Sequence, residues 1–397
     1  MEITEKKENR IMDNHNSDAM ELTMKLVRID STDPGACEGE IGTFIFQYLK
    51  DLGVPVIKKE VLPGRFNIMA KVEGEEDAPA LVYICHMDTV TTGEGWTVSP
   101  FGAEVIRGRI YGRGACDMKS GLACALSAFT SMALKARNGK KPGRSLVFIG
   151  TVDEEDFMRG AEAAIADGWV SKDSWVLDTE PTNGQIEVAH KGRTWFEITV
   201  NGITAHASTP WKGADAIAAM AEIIAAIRRR IAACPVHPDL GASTVTFGQI
   251  EGGYRPYVVP DSCRVWIDMR LVPPTDTAGA AAIVEDAIAA AIKEIPGITA
   301  AYQITGNRPY VEKDEQSPLL NALSRACEEV TGEPAPVSFF PGYTDTAVIA
   351  GTLGNHNCMS YGPGDLELAH KPDEYVPCED ILRCEEVLTR LADNLLF

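Results

Sequence analysis

The sequence predicts an α/β protein: a mostly parallel sheet with helices on both faces, interrupted by an inserted βαββαβ unit of ferredoxin-like order. Three features of the 397 residues predict it. Short apolar, β-rich runs alternate with helical periodicity up to about residue 190, the order of elements changes at Arg193, and the alternating pattern resumes after Asn307-Arg308-Pro309. The boundaries that follow are a solvated lead-in at 1–17, a discontinuous domain at 18–190 and 307–397, and an inserted domain at 191–306.

The elements justify this in order. Helices are expected at 18–29 and 38–52, the second carrying Ile41, Phe44, Ile45, Tyr48, Leu49 and Leu52 on one face. Strands are expected at 54–58, 66–72, 80–85, 145–151 and 174–177, with helices at 119–136 and 159–168 between the later ones. Apolar strands alternating with helices bury both faces of a sheet, which is the habit of parallel strands. The inserted domain reads as strand 194–200, Ala-rich helix 213–233, strands 243–250 and 262–271, helix 276–294 and strand 298–305. A helix at 317–330, a short strand near 358–360 and a helix at 378–395 complete the chain.

Composition narrows the function. Hydrophobic residues make up 45% and charged residues 24%, the mix of a globular protein, and no apolar run is long enough to span a membrane. A formal net charge of −20 argues against nucleic acid or an anionic membrane as partner, since phosphate binding needs a basic face. The first 17 residues lack an apolar signal core, and the ten cysteines contain no C-x-x-C pair. Both point to reduced thiols in the cytoplasm.

Five clusters of acids and histidines sit just past predicted strands or in glycine-rich loops, where open α/β sheets place their ligand sites. Leu81-Val-Tyr-Ile-Cys-His86-Met-Asp88 delivers a histidine and then an aspartate from a buried strand. Taken alone, this H-x-D is also the pattern of a structural histidine. Gly112-Arg-Gly-Ala-Cys-Asp117-Met-Lys-Ser-Gly121 is a glycine-rich turn entering a helix, and Asp117 alone would also serve as a cap. Asp153-Glu154-Glu155-Asp156 crowds four carboxylates at a strand end, where like charges repel unless a cation neutralises them or the loop is solvated. Asp178-Thr-Glu180 ends another strand, and His370 lies in the loop Gly362-Pro-Gly-Asp-Leu-Glu-Leu-Ala-His370-Lys-Pro-Asp-Glu374. Together they supply nitrogen and oxygen donors for two borderline metal ions. Cys85 and Cys116 adjoin these positions but read as core thiols, because strand alternation turns Cys85 away from His86.

With these motifs, in this order, the sequence resembles the co-catalytic zinc family of acetylornithine deacetylase, succinyl-diaminopimelate desuccinylase, aminoacylase and carboxypeptidase G. The likeness runs from about residue 18 to the end. It implies a di-zinc exopeptidase-like catalytic domain with an inserted lid and dimerisation domain. It further implies two Zn²⁺ per subunit, with Co²⁺ or Mn²⁺ as alternatives. His86 and Glu180 would hold one ion, Glu155 and His370 the other, and Asp117 would bridge both. Glu154 would be the general base, Asp88 the partner orienting His86, and the Asp117-Met118 peptide cis. In the inserted domain the resemblance implies that His206 reaches the partner subunit's site to stabilise an oxyanion, and that Arg270 grips a substrate carboxylate. Tyr257 and Gly342 complete the expected substrate-binding set. Tyr257 stands in Gly252-Gly-Tyr-Arg-Pro-Tyr257-Val-Val-Pro260, where the family often has Asn, so Tyr257, with Tyr254 or Arg255, alters the substrate end of the pocket.

The expected function is therefore zinc-dependent hydrolysis of the amide bond of an N-acyl amino acid by a zinc-bridged water, in a homodimer formed through the inserted domain. A dipeptidase or carboxypeptidase on short peptides uses the same residues and is the alternative. A non-catalytic metal-binding scaffold has no need of Glu154 beside the donor set, and no G-x-S-x-G or P-loop pattern supports nucleophilic or phosphate chemistry.

Overall fold

Leu81–His86 and Leu146–Thr151 are buried at every position. Strands of this composition must be covered on both faces, and they form the centre of the sheet. The computed structural model describes residues 18–397; the expected lead-in at 1–17 lies outside them. In chain order the first elements are α1 (Asp18–Val27), α2 (Gly39–Asp51), β1 (Val56–Leu62), β2 (Arg65–Val72), β3 (Leu81–His86), α3 (Ser120–Arg137), β4 (Leu146–Thr151), α4 (Arg159–Ala166), β5 (Trp175–Asp178) and β6 (Ile186–His190). There follow β7 (Gly192–Asn201), α5 (Ala216–Ala232), β8 (Thr244–Gly252), β9 (Ser262–Leu271), α6 (Thr277–Glu294) and β10 (Thr299–Arg308). The last are α7 (Pro318–Thr331), β11 (Val337–Phe340), α8 (Asp345–Leu353), β12 (Cys358–Ser360) and α9 (Cys378–Leu396).

The chain divides into two compact units. The first comprises the described residues up to Val188 together with Lys313–Phe340 and Thr344–Phe397. Its eight-stranded sheet has the order β11-β6-β12-β5-β3-β4-β2-β1. The pairs β12–β5, β5–β3 and β3–β4 are parallel, whereas β6–β12, β4–β2 and β2–β1 are antiparallel. The parallel arrangement expected from the sequence thus describes the centre, and the flanks make the sheet mixed. Leu81, Tyr83, Leu146 and Phe148 point into the main core with α1, α3 and α9, while Val82, Ile84 and Ile149 on the opposite face are also fully buried. Each such side chain contributes roughly 1.5–3 kcal/mol of transfer free energy. Because β3, β4 and β5 are parallel, their C-terminal ends lie at one edge, and the segments carrying His86, Glu154–Glu155 and Glu180 emerge there.

The second unit comprises Ala189–Glu312 and Pro341–Tyr343. Its strands run β8-β9-β7-β10, all antiparallel, and its chain order is βαββαβ. Along β7, Thr194, Phe196, Ile198 and Val200 are buried, while Arg193, Trp195, Glu197 and Thr199 on the other face are half-exposed. Helices α5 and α6 cover the apolar face, and Asp215 and Asp276 cap them by accepting the amide N–H of Ala218 and Gly279.

Candidate metal centre

His86 ends β3, 1% exposed. Its Nδ1 lies 3.0 Å from the main-chain carbonyl of Asp88, which can only accept, so Nδ1 carries the proton and donates it. Nε2 then faces two carboxylates, Asp117 Oδ1 at 3.2 Å and Glu180 Oε1 at 3.7 Å. The other oxygen of Asp117, Oδ2, lies 3.4 Å from His370 Nε2, and that nitrogen is 3.0 Å from Glu155 Oε2. Asp117 therefore turns one oxygen to each histidine, with Glu180 on one side and Glu155 on the other. Potential ligand atoms of His86, Asp117 and Glu155, and of His86, Glu154 and Glu180, fall within 4.8 Å of one another.

Local sequence explains how these side chains meet. Asp117 follows a turn that Gly114 enters at φ +79°, a left-handed conformation in which an added Cβ would also lie 2.6 Å from Thr89 Cγ2. Helix α3 begins at Ser120, and Gly121 brings it against the end of β5 so closely that a Cβ would stand 2.0 Å from the Thr179 carbonyl oxygen. This approach sets the Asp117 turn beside Glu180. The Asp117–Met118 peptide is cis, as the resemblance implies. Asp88, fully buried, uses its carboxylate to accept the amide N–H groups of Glu154 (3.2 Å) and Glu155 (3.1 Å), while its Oδ1 stays 3.7 Å from the His86 ring. His86 is thus oriented by the Asp88 carbonyl, and the Asp88 carboxylate holds the acidic turn.

The electrostatics test whether cations fit. Burial raises the Glu154 carboxyl well above the usual range, reinforced by the charges of Asp345, Glu155 and Asp88 and opposed by His86. Glu180 is raised in the same way by burial and by Asp117, and burial pushes Asp88 up to about 7. Burial opposes ionisation of Asp117 too, but hydrogen bonds from His370 and His86 outweigh it and hold the carboxyl below the usual range. His370 is raised to about 10 by its hydrogen bonds to Asp117 and Glu155. Burial disfavours a charged His86, yet the hydrogen bond to Asp117 and the charges of Glu180, Glu154 and Asp88 raise its pKa well above the ordinary value. Buried carboxylates at this density need positive charge, and the two histidines are the local side chains drawn into supplying it. Divalent cations would meet the same need with donors of the right kind, imidazole nitrogen and carboxylate oxygen.

A third acidic group, Asp33, Glu38 and Asp88, lies behind the turn. Arg65 pairs with Asp33 at 2.7 Å and with Glu38, and lies 3.5 Å from Asp153. That group is an ion-pair network, in which Glu38 also accepts the Asp153 N–H. The sequence reading missed Glu38, Arg113 and Glu374. Glu374 had a signal, standing four residues after His370 in the same loop.

The remaining expected site residues lie in the second unit. His206 is exposed, its Nδ1 2.8 Å from Ser208 Oγ. Tyr257 is 59% exposed. Arg270 donates from Nε to Asp268 Oδ1 at 2.8 Å, and Asp268 Oδ2 also accepts Trp195 Nε1–H at 2.8 Å. Gly342 stands in the short segment Pro341–Tyr343 that groups with this unit.

Comparison with known proteins places the chain among hydrolases. It is 28% identical over 377 residues to the acetylornithine deacetylase of Vibrio cholerae serotype O1, covering 93% of this chain and 95% of that one. It is 26% identical over 393 residues to a probable succinyl-diaminopimelate desuccinylase of Staphylococcus epidermidis, covering 90% and 93%. In fold it is similar to the YXEP protein of Bacillus subtilis, a dinuclear metal binding peptidase, with a TM-score of 0.71, 19% identity and coverage of 95% and 97%. Residues 82–394 match peptidase family M20/M25/M40, and the chain belongs to that family of metal-dependent hydrolases acting on C–N amide bonds.

Proposed function

We propose that the protein removes the acyl group from an N-acyl amino acid, with two Zn²⁺ ions in the cluster around Asp117. The observation that carries this reading is the placing of Asp117, one oxygen toward His86 and the other toward His370, with Glu154 buried alongside. His86 and Glu180 would hold one ion, Glu155 and His370 the other, and Asp117 would bridge. When bound, a pair of such ions polarises an amide carbonyl and lowers the pKa of water between them. Glu154 is left out of the donor set, and its carboxylate takes a proton from the attacking water and returns it to the departing nitrogen. Asp88 keeps this base in place by holding the amide groups of Glu154 and Glu155.

The second unit supplies recognition in this reading. Arg270 binds the substrate carboxylate through its fixed fork, Tyr257 and Gly342 contact the amino-acid side, and His206 from the partner of a homodimer stabilises the oxyanion. Exposed apolar side chains on this unit, Trp211 at 76% and Ile203 at 50%, support burial against a second copy. All ten cysteines are free thiols, which supports a reducing compartment, the cytoplasm. Among the described residues no helix is long and apolar enough to cross a membrane.

The full-length likeness to a deacetylase and a desuccinylase supports the acyl-amino-acid substrate. The likeness to a dinuclear peptidase favours the second reading, a dipeptidase or carboxypeptidase. The test is amine release from a panel of N-acetyl amino acids, N-succinyl amino acids and dipeptides, before and after chelation and with zinc restored. Zinc-dependent release from the acyl amino acids is expected. Release from dipeptides alone would establish the peptidase instead, and release that survives chelation would sink the metal-dependent mechanism.

A further inference from the structure

We propose that Arg113 and Glu374 are positioning residues that fix the bridging carboxylate Asp117 and tie its turn to the loop carrying His370. The inference rests on the dinuclear reading above. Cys116 and Asp117 precede the start of α3 at Ser120, and Asp117 is outside helical geometry (φ −116°, ψ 101°), so their N–H groups have no place in a helical ladder. One oxygen of Glu374 takes both, Oε1 accepting from Cys116 at 2.9 Å and from Asp117 at 3.0 Å. The other oxygen receives Nη1 of Arg113, and the Glu374 carbonyl accepts the Gly112 N–H at 2.9 Å.

Both members of the pair are 1% exposed. Arg113 is itself fixed, donating from Nη2 to the Thr92 carbonyl at 3.2 Å with its guanidinium 5.3 Å from the centre of the Trp96 ring. The flanking chain strengthens the link, because Tyr375–Pro377 pairs antiparallel with Arg109–Tyr111. The segment leading to Asp117 and the segment following His370 are therefore held in register by a strand pair and a carboxylate clamp. Burying an Arg–Glu pair is a poor way to gain stability, since desolvation offsets most of the attraction. It is a good way to hold a backbone still, and a small rotation at Asp117 would move one oxygen away from His86 and the other away from His370. Outer partners of this kind change metal affinity by about 10–100-fold when removed.

The experiment titrates metal-free wild type, Glu374→Gln and Arg113→Lys with Co²⁺, following stoichiometry by chelator competition and the ligand field by visible absorption, alongside melting of the metal-free forms. Two equivalents are expected for the wild type. In Glu374→Gln the amide offers one acceptor but turns an NH₂ group toward Arg113, so at least one equivalent should weaken by about 10-fold or more with a changed absorption spectrum. If that variant does not fold, Arg113→Lys, which keeps the charge but loses the fork, carries the same expectation. A merely structural role would lower melting and leave affinity and spectrum at wild-type values, and that result overturns the clamp. A wild type that takes up fewer than two equivalents overturns the dinuclear reading, and the clamp with it.

Discussion

Around this centre, buried carboxylates outnumber the positions a metal pair would need, and the surplus has a task. Asp88, Glu38 and Glu374 each accept backbone N–H groups from the segments bearing Glu154, Glu155, Asp153 and Asp117. A carboxylate is a strong acceptor, and here it replaces the regular ladder these turns lack. Glu154 differs in that, among the described residues, its carboxylate accepts no such amide, and burial raises it well above the usual range. That is the condition of a proton carrier, and it gives a prediction. Glu154→Gln should retain metal uptake and lose turnover by about 10²–10⁴-fold, the usual worth of a general base. Steady-state rates and metal content measured on one preparation check it; near-normal turnover would remove Glu154 from the mechanism. The residues of this cluster were legible because acids and histidines at strand ends and in glycine-rich loops are conspicuous. Glu38 and Arg113 were not, since a single acid or arginine in a turn has the same local pattern whether it is solvated or buried.

At the scale of elements, periodicity was informative wherever one face is exposed. Helix α2 buries Ile41, Ile45 and Leu49, three of the positions its spacing predicts. Helix α8 was invisible for the opposite reason: residues 345–350 are all buried, so no polar stripe marks its period. Strands β6 and β11 escaped notice as short segments without strong alternation, and the antiparallel flanks of the sheet could not be read because strand direction leaves no mark on composition. The order of the inserted elements was plain, whereas the grouping of Pro341–Tyr343 with them depends on tertiary contacts. Packing between elements is most demanding at Gly121, where α3 touches the end of β5. Gly121→Ala should cost about 1–3 kcal/mol by overpacking, because the opposing atom is backbone and cannot rotate aside. Since Thr179 precedes Glu180, the same change should weaken metal binding. Urea unfolding and metal titration read the two effects, and a variant as stable as wild type would mean that the helix yields at no cost.

For the molecule as a whole, the cluster makes stability depend on cation and pH together. Without metal, Glu154, Glu180 and Asp88 have folded-state pKa values above their ordinary ones. Below their ordinary values both folded and unfolded chains are protonated and nothing is lost. As pH rises toward the raised values the unfolded chain releases protons first, and the folded state loses stability. His370 acts in the same direction: its raised value, about 10, adds stability below its ordinary pKa that disappears as pH rises through the folded one. Metal binding needs the donors among them, Glu180 and His370, deprotonated, so protons and cations compete for one cluster. Zinc should therefore raise the melting temperature more at pH 8 than at pH 5.5, with about 4 kcal/mol of stabilisation available where free zinc reaches about 1,000 times its dissociation constant. Calorimetry of chelated and zinc-loaded protein at both values checks the sign. A stabilisation independent of pH, or larger at the acidic value, would mean that cations settle elsewhere, for the donors described here cannot take up a metal without giving up protons.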